Sequence, residues 1–172
     1  LVRAADYFEV DRFPFDETGR SKMFREFLSA LYSAGERHYI GVYESGAGQF
    51  VLLKLRDDVD HGFWRAQLEP PLQKLDVMVL TELVLKRLLK VDEKTLDDET
   101  KIKYRHDALE AVEEVDRGLF QVAFLLNHTK IEQLQEVANG ALFMPHKSTY
   151  FYPKVIDGSV LNLLDPNEDV QL

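Results

Sequence analysis

Val122-Ala123-Phe124-Leu125-Leu126 is an unbroken apolar run of strand length. A strand that is apolar on both faces suits the centre of a parallel sheet covered by helices on either side. The residues around the run fit that reading. Upstream, Thr100–Arg105 predicts a strand, and Asp107 is placed to cap a helix built on Ala108, Leu109, Ala111, Val112 and Val115 that ends at Gly118. Downstream, Thr129-x-x-Glu132 reads as a capping box. It opens a helix with Ile131, Leu134, Val137 and Ala138 on one face, closed by Asn139-Gly140. Tyr150–Tyr152 and Ser159–Leu163 predict further strands around Pro153 and Asp157-Gly158. Strands and helices alternating over short links are the pattern of parallel βαβ units.

The first half has another rhythm. Residues 7–16 alternate imperfectly and stop at Pro14, which predicts a short strand and a turn. Met23, Phe24, Phe27, Leu28, Leu31 and Tyr32 recur at helical spacing, so a helix is expected over 21–34 with Gly35 as its stop. His38–Tyr43 and Phe50–Leu55 flank Glu-Ser-Gly-Ala-Gly-Gln and predict a hairpin. Residues 57–74 carry three aspartates, a glycine and two prolines and predict an irregular connection. Leu75 to Leu89 is apolar around most of a helix, with Asp76 expected as its N-cap. The expected fold is therefore α/β, in the mixed α+β sense. It comprises an N-terminal helix and β-hairpin followed by βαβαβ with a partly parallel sheet. One domain is expected over 1–164, followed by a mobile tail over 165–172.

Composition narrows the function classes. The 172 residues carry 21 basic and 30 acidic side chains, a net charge of −9, and no cysteine. Disulfides and thiolate metal sites are excluded, and a reducing, cytoplasmic setting is expected. An acidic surface repels phosphate backbones and argues against nucleic-acid binding. No apolar run reaches the ~20 residues needed to cross a bilayer. The chain begins at Leu1 without an initiator Met, and a piece of a longer protein is expected.

The acidic charge is uneven. Asp92, Glu93, Asp97, Asp98 and Glu99 crowd one segment, whereas residues 137–156 hold no acid and include His146, Lys147 and Lys154. In open α/β sheets ligands collect beyond the carboxyl ends of strands, where helix N-termini favour anions. Arg105-His106 and Asn127-His128-Thr129 stand at two such ends. The candidate site is an anion pocket in which Lys147, Ser148, Thr149 and Lys154 bind oxygens, with Asn127 and Arg105 orienting the ligand. The phosphate-loop, dinucleotide-fold and nucleophile-elbow motifs are absent, and the histidines lack an i, i+4 metal pair. No metal, cofactor or catalytic residue is assigned.

The string Phe124-Leu-Leu-Asn-His-Thr-Lys-Ile-Glu-Gln133, followed by Met144-Pro-His-Lys-Ser-Thr-Tyr-Phe-Tyr-Pro-Lys154, resembles the closing part of the domain of unknown function 1015 family. Those bacterial and archaeal proteins are described as similar to chromosome-partitioning ParB proteins. Leu75-Asp76-Val77 and the His38–Leu55 hairpin resemble the family too, so the likeness covers nearly the whole chain. The chain departs from the family at Thr81, His128 and His146, and nothing in it matches the family's upstream Asp-Gly-His-His-Arg-like motif. The resemblance implies the C-terminal half of a larger protein whose partner is its own upstream ParB-like half. It also implies nucleotide-dependent phosphotransfer to a small metabolite such as free serine, with a phosphate-bearing small molecule as ligand. The alternative is a non-catalytic interaction or self-association module, a homo-oligomer using Phe13, Phe15, Phe63, Trp64 and Tyr150–Tyr152 as an apolar patch.

Overall fold

A computed structural model describes residues 2–59 and 61–149. The strands expected at 150–152 and 159–163, the candidate ligand Lys154 and the tail lie outside the described residues.

Among the described residues the sheet has four strands. β1 (Phe8–Pro14), β2 (Tyr39–Glu44) and β3 (Gln49–Leu55) come from the first half, and β4 (Val122–Leu126) from the second. Their order is β1-β3-β2-β4, and every pairing is antiparallel. Strand alternation sorts the side chains to two faces. On one face Phe50 and Leu52 of β3 and Tyr39 and Tyr43 of β2 pack under α1 (Arg20–Tyr32) and α6 (Ala108–Asp116). On the other face Ile40, Val51, Leu53 and Leu55 pack against Trp64, Val79, Leu83 and Val84. The result is a sheet between two helical layers.

The close approach of α1 depends on a glycine. A Cβ at Gly41 would lie 2.5 Å from Phe27 Cζ and 3.1 Å from Leu125 Cβ. Its absence lets Phe27 settle on the sheet and stack on Phe50 with ring centres 5.1 Å apart. Such aromatic pairs add about 0.5–1.5 kcal/mol beyond their buried area. α1 ends where expected, with Gly35 at a φ of 65°.

The irregular connection contains two helical turns, α2 (Gly62–Arg65) and α3 (Pro70–Gln73), the latter with proline in its first turn as helix geometry allows. The next segment starts as α4 (Asp76–Met78) and widens into π-helical turns over Val79–Leu88. Val79, Leu83 and Val84 are buried there against the sheet. α5 (Glu93–Leu96) is capped by Asp92, and α6 by Asp107, which accepts from the Glu110 N–H at 2.8 Å. α7 (Ile131–Asn139) packs Val137 against Leu75 and Met78 in a third, smaller core.

Four expectations are corrected. Among the described residues the sheet is antiparallel throughout, and β4 lies at its edge rather than at the centre of a parallel one. Its double-sided apolarity is real, since Ala123 and Leu125 join one core while Phe124 and Leu126 pack on the other. Being covered on both faces reports the layers above and below a strand, not its direction. Thr100–Arg105 is not a strand. Its charged residues turn to helices instead, with Arg105 2.6 Å and Lys103 3.7 Å from Glu114. Asp76 caps nothing, because the cap position belongs to Leu75. Thr129 is likewise displaced as cap by Lys130, whose N–H donates to Gln133 Oε1 at 2.9 Å.

Candidate functional site

The antiparallel register of β2 and β4 pairs Ile40 with Leu126. It therefore sets the residues just before β2 beside those just after β4. His38 and Asn127 occupy these places, and Asp76 at the start of α4 lies between them. His38 Nδ1 is 2.8 Å from Asp76 Oδ1, and Asn127 Nδ2 donates to Asp76 Oδ2 at 3.3 Å. The His38 and Asp76 side chains are largely buried, 12% and 15% exposed. The carboxylate that sequence pattern assigns to a helix cap instead ties together two strands and a helix.

Asp76 and Asn127 also form part of the wall of a cavity of about 150 Å³. Glu36, Arg37, Lys74, His128, Lys130 and Gln133 line the rest of its polar surface, with Tyr32 and Gly35. Several of these groups are held in place. Lys130 Nζ donates to the Gly35 carbonyl at 2.5 Å, which joins the start of α7 to the end of α1. Gln133 Nε2 donates to the Lys74 carbonyl at 2.7 Å, and Lys74 Nζ pairs with Glu136 at 2.6 Å. The Arg37 guanidinium differs: it lies 5.5 Å from the Tyr39 ring centre and has no hydrogen bond or ion pair among the described residues. Arginine presents a planar fork of donors that matches a carboxylate or phosphate. The cavity thus offers one free fork, two ammonium groups with N–H bonds to spare and two amides, beside the carboxylates of Glu36 and Asp76.

Of the described residues proposed from sequence as ligands, Asn127 lines this cavity, as does His128 at the same strand end, whereas Arg105, Lys147, Ser148 and Thr149 do not. Arg105 is engaged by Glu114 and Glu110, at 2.6 and 2.9 Å. That guanidinium in turn holds the Glu114 carboxyl below the usual carboxylate range. Lys147 forms an ion pair with Glu99 and lies 5.8 Å from the Tyr104 ring centre. Its hydrogen bond lowers the Glu99 carboxyl as well. Ser148 Oγ donates to the Pro145 carbonyl at 2.7 Å, and the Ser148 carbonyl accepts from Thr129 Oγ1 at 3.0 Å. Thr149 is exposed. The 144–149 segment is thus docked beside the exit of β4, with its cation already neutralised. The acid-free stretch of sequence finds its acid in space, in the crowded acidic segment that carries Glu99.

Sequence reasoning missed Arg37, His38 as a partner of Asp76, Lys74 and Gln133. No local spacing announces them, because each becomes meaningful only across the sheet end. Among the described residues no group of three or more histidines, aspartates or glutamates is placed to hold a metal ion. Asp58 is taken by Arg56, at 2.9 and 2.7 Å. No helix of the described residues is long and apolar enough to cross a membrane. Compared with protein-family models, curated proteins and solved structures, the chain gives no match.

Proposed function

We propose that this domain binds the anionic group of a small phosphate-bearing molecule in the cavity between α1, α4 and α7, as the ligand-binding half of a larger ParB-like enzyme. The carrying observation is the unpaired Arg37 fork facing the same small cavity as Lys74, Lys130 and Asn127. Nucleotide-dependent phosphotransfer to a small metabolite such as serine fits the resemblance of the 124–133 and 144–154 strings. The described residues offer no metal-holding cluster. Phosphoryl transfer depends on metal ions and a positioned base, so the upstream half would supply the metal site.

The test is thermal denaturation of this chain with inorganic phosphate, phosphoserine, ADP and ATP, alongside Arg37→Ala. A ligand at 100 times its Kd stabilises by about 2.7 kcal/mol, which raises the Tm of a domain this size by about 5–10 °C. Arg37→Ala is expected to remove that shift while leaving the unliganded Tm within about 2 °C, because exposed substitutions rarely exceed ~0.5 kcal/mol. A wild-type Tm that no phosphate compound moves would sink the reading.

Self-association is the second reading, and one observation favours it: Phe143 is 92% exposed, between Leu142 and Met144, which pack on the third core. Of the patch expected from sequence, Tyr150–Tyr152 lie outside the described residues. Trp64 is buried, and Phe13 and Phe15 pack against the α1 core. On this reading Phe143→Ser converts a dimer to a monomer in sedimentation, and a wild-type chain that sediments as a monomer at all concentrations excludes it.

A further inference from the structure

Just past the end of α1, Glu36 and Arg37 bring opposite charges side by side to the cavity of about 150 Å³. Consecutive Cα atoms are about 3.8 Å apart, so the two side chains serve one small space. They do not pair with each other, and among the described residues neither has a hydrogen bond or ion pair. The other ions of the cavity are engaged. Lys74 pairs with Glu136 at 2.6 Å, and Lys130 donates to the Gly35 carbonyl at 2.5 Å. The Asp76 oxygens are held by His38 and Asn127, at 2.8 and 3.3 Å. Glu36 and Arg37 are thus the two ions of the wall left without a counter-charge, and they differ in sign.

That pair decides what the cavity would recognise. A ligand that was only an anion would meet the Arg37 fork but would set its charge near the carboxylates of Glu36 and Asp76, which repel it. A ligand with charges of both signs matches both residues. We propose that the ligand is a zwitterion, a compact phosphate compound with an ammonium group a few bonds from its phosphate. The phosphate meets Arg37, and the ammonium donates to the Glu36 carboxylate. Each carboxylate oxygen can accept two hydrogen bonds, so Asp76 keeps capacity for the same ammonium. This inference rests on the anion-cavity reading and adds the charge at the other end of the ligand.

The experiment compares two phosphate monoesters, ethyl phosphate and phosphoethanolamine, which differ by one ammonium group. Titration calorimetry of the wild-type chain is expected to show phosphoethanolamine bound about tenfold more tightly, the worth of one charged hydrogen bond. In Glu36→Gln, which keeps the size of the side chain, the two affinities converge to within about twofold. The affinity for ethyl phosphate does not fall, since the anion loses a like-charged neighbour. The chain carries a net charge of −9, whose overall field also favours the less negative ester. Glu17→Gln measures that field alone, because Glu17 is exposed and precedes α1 whereas Glu36 follows it. That variant is expected to keep the full preference. Equal wild-type affinities, a preference that survives Glu36→Gln, or one that Glu17→Gln reduces as much, overturns the zwitterion and leaves the anion cavity standing. Failure of the wild type to bind either ester overturns both.

Discussion

The two ends of strand β2 are each tied down by a carboxylate from a helix, and the two ties differ in what they leave over. At the Tyr43 end, the buried hydroxyl donates to Asp116 Oδ1 at 2.5 Å, and Arg20 pairs with the same carboxylate. Arg20 also donates to the Tyr43 oxygen at 3.2 Å and lies over the Phe15 and Tyr43 rings. The cluster is closed, since each member is satisfied by the other two. At the His38 end, Asp76 is satisfied in the same way by two donors, but Asp76 and Asn127 also form part of the wall of a cavity. A closed cluster contributes stability. What separates the other is that two of its members, Asp76 and Asn127, also line a cavity.

The contrast can be broken at the middle of the strand and then at each end. Gly41→Val puts branched bulk where Phe27 Cζ would already lie 2.5 Å from a Cβ. It is expected to cost about 3 kcal/mol in urea denaturation, the upper range for overpacking, because Phe27 and with it α1 are pushed off the sheet. Asp116→Ala leaves the Tyr43 hydroxyl buried without its acceptor and Arg20 without its anion. A loss of about 2 kcal/mol is expected, with no change in phosphate affinity. By comparison Asp76→Asn, which preserves shape and hydrogen bonding, is expected to cost less than ~1 kcal/mol and to change affinity at the cavity that Asp76 lines instead.

The closed end can also be read by pH. Burial, and next the hydrogen bond to Asp116, push the Tyr43 hydroxyl up to about 12. An acid with a raised value holds its proton more tightly in the native state. Its contribution is therefore complete below the ordinary tyrosine range near 10 and is lost as pH rises from there to about 12. Absorbance titration should show one tyrosine ionising late, and Asp116→Ala should bring it earlier. A native tyrosine set that titrates as one ordinary group would contradict the closed cluster. The smallest effect is expected from Lys147→Ala. Because Lys147 is already paired with Glu99, its removal should leave phosphate binding unchanged, whereas Arg37→Ala abolishes it. The reverse result would return the site to the 144–149 segment.

Much of the fold is legible in short windows of sequence. The apolar spacing from Met23 to Tyr32 with Gly35 behind it foretells α1, and Asp107 with Gly118 brackets α6. The hairpin reads from its glycine-containing turn, where Gly46 and Gly48 both adopt positive φ. The errors share a cause. Val122–Leu126 was legible as a strand, but its neighbour in the sheet is β2, about eighty positions earlier. Lys147 reads as a lone cation in an acid-free stretch, yet Glu99 meets it from 48 positions away. Asn127 was found because it follows a strand, and a strand's end is a local feature. Arg37 and the His38–Asp76 pair carry no local mark at all.

By itself the sequence determined α1, α6 and the hairpin, which faces of them are apolar, and that thiolate chemistry is excluded. Periodicity, caps and turns are interactions between residues a few positions apart, so a window of sequence contains both partners. The tertiary structure alone decided strand direction, which carboxylate serves a cap and which serves a site, and which cations remain free. Those outcomes depend on contacts between distant segments, where closure of the sheet chooses the partners. His38, Asp76 and Asn127 meet because β2 and β4 run antiparallel, placing the start of one strand beside the end of the other.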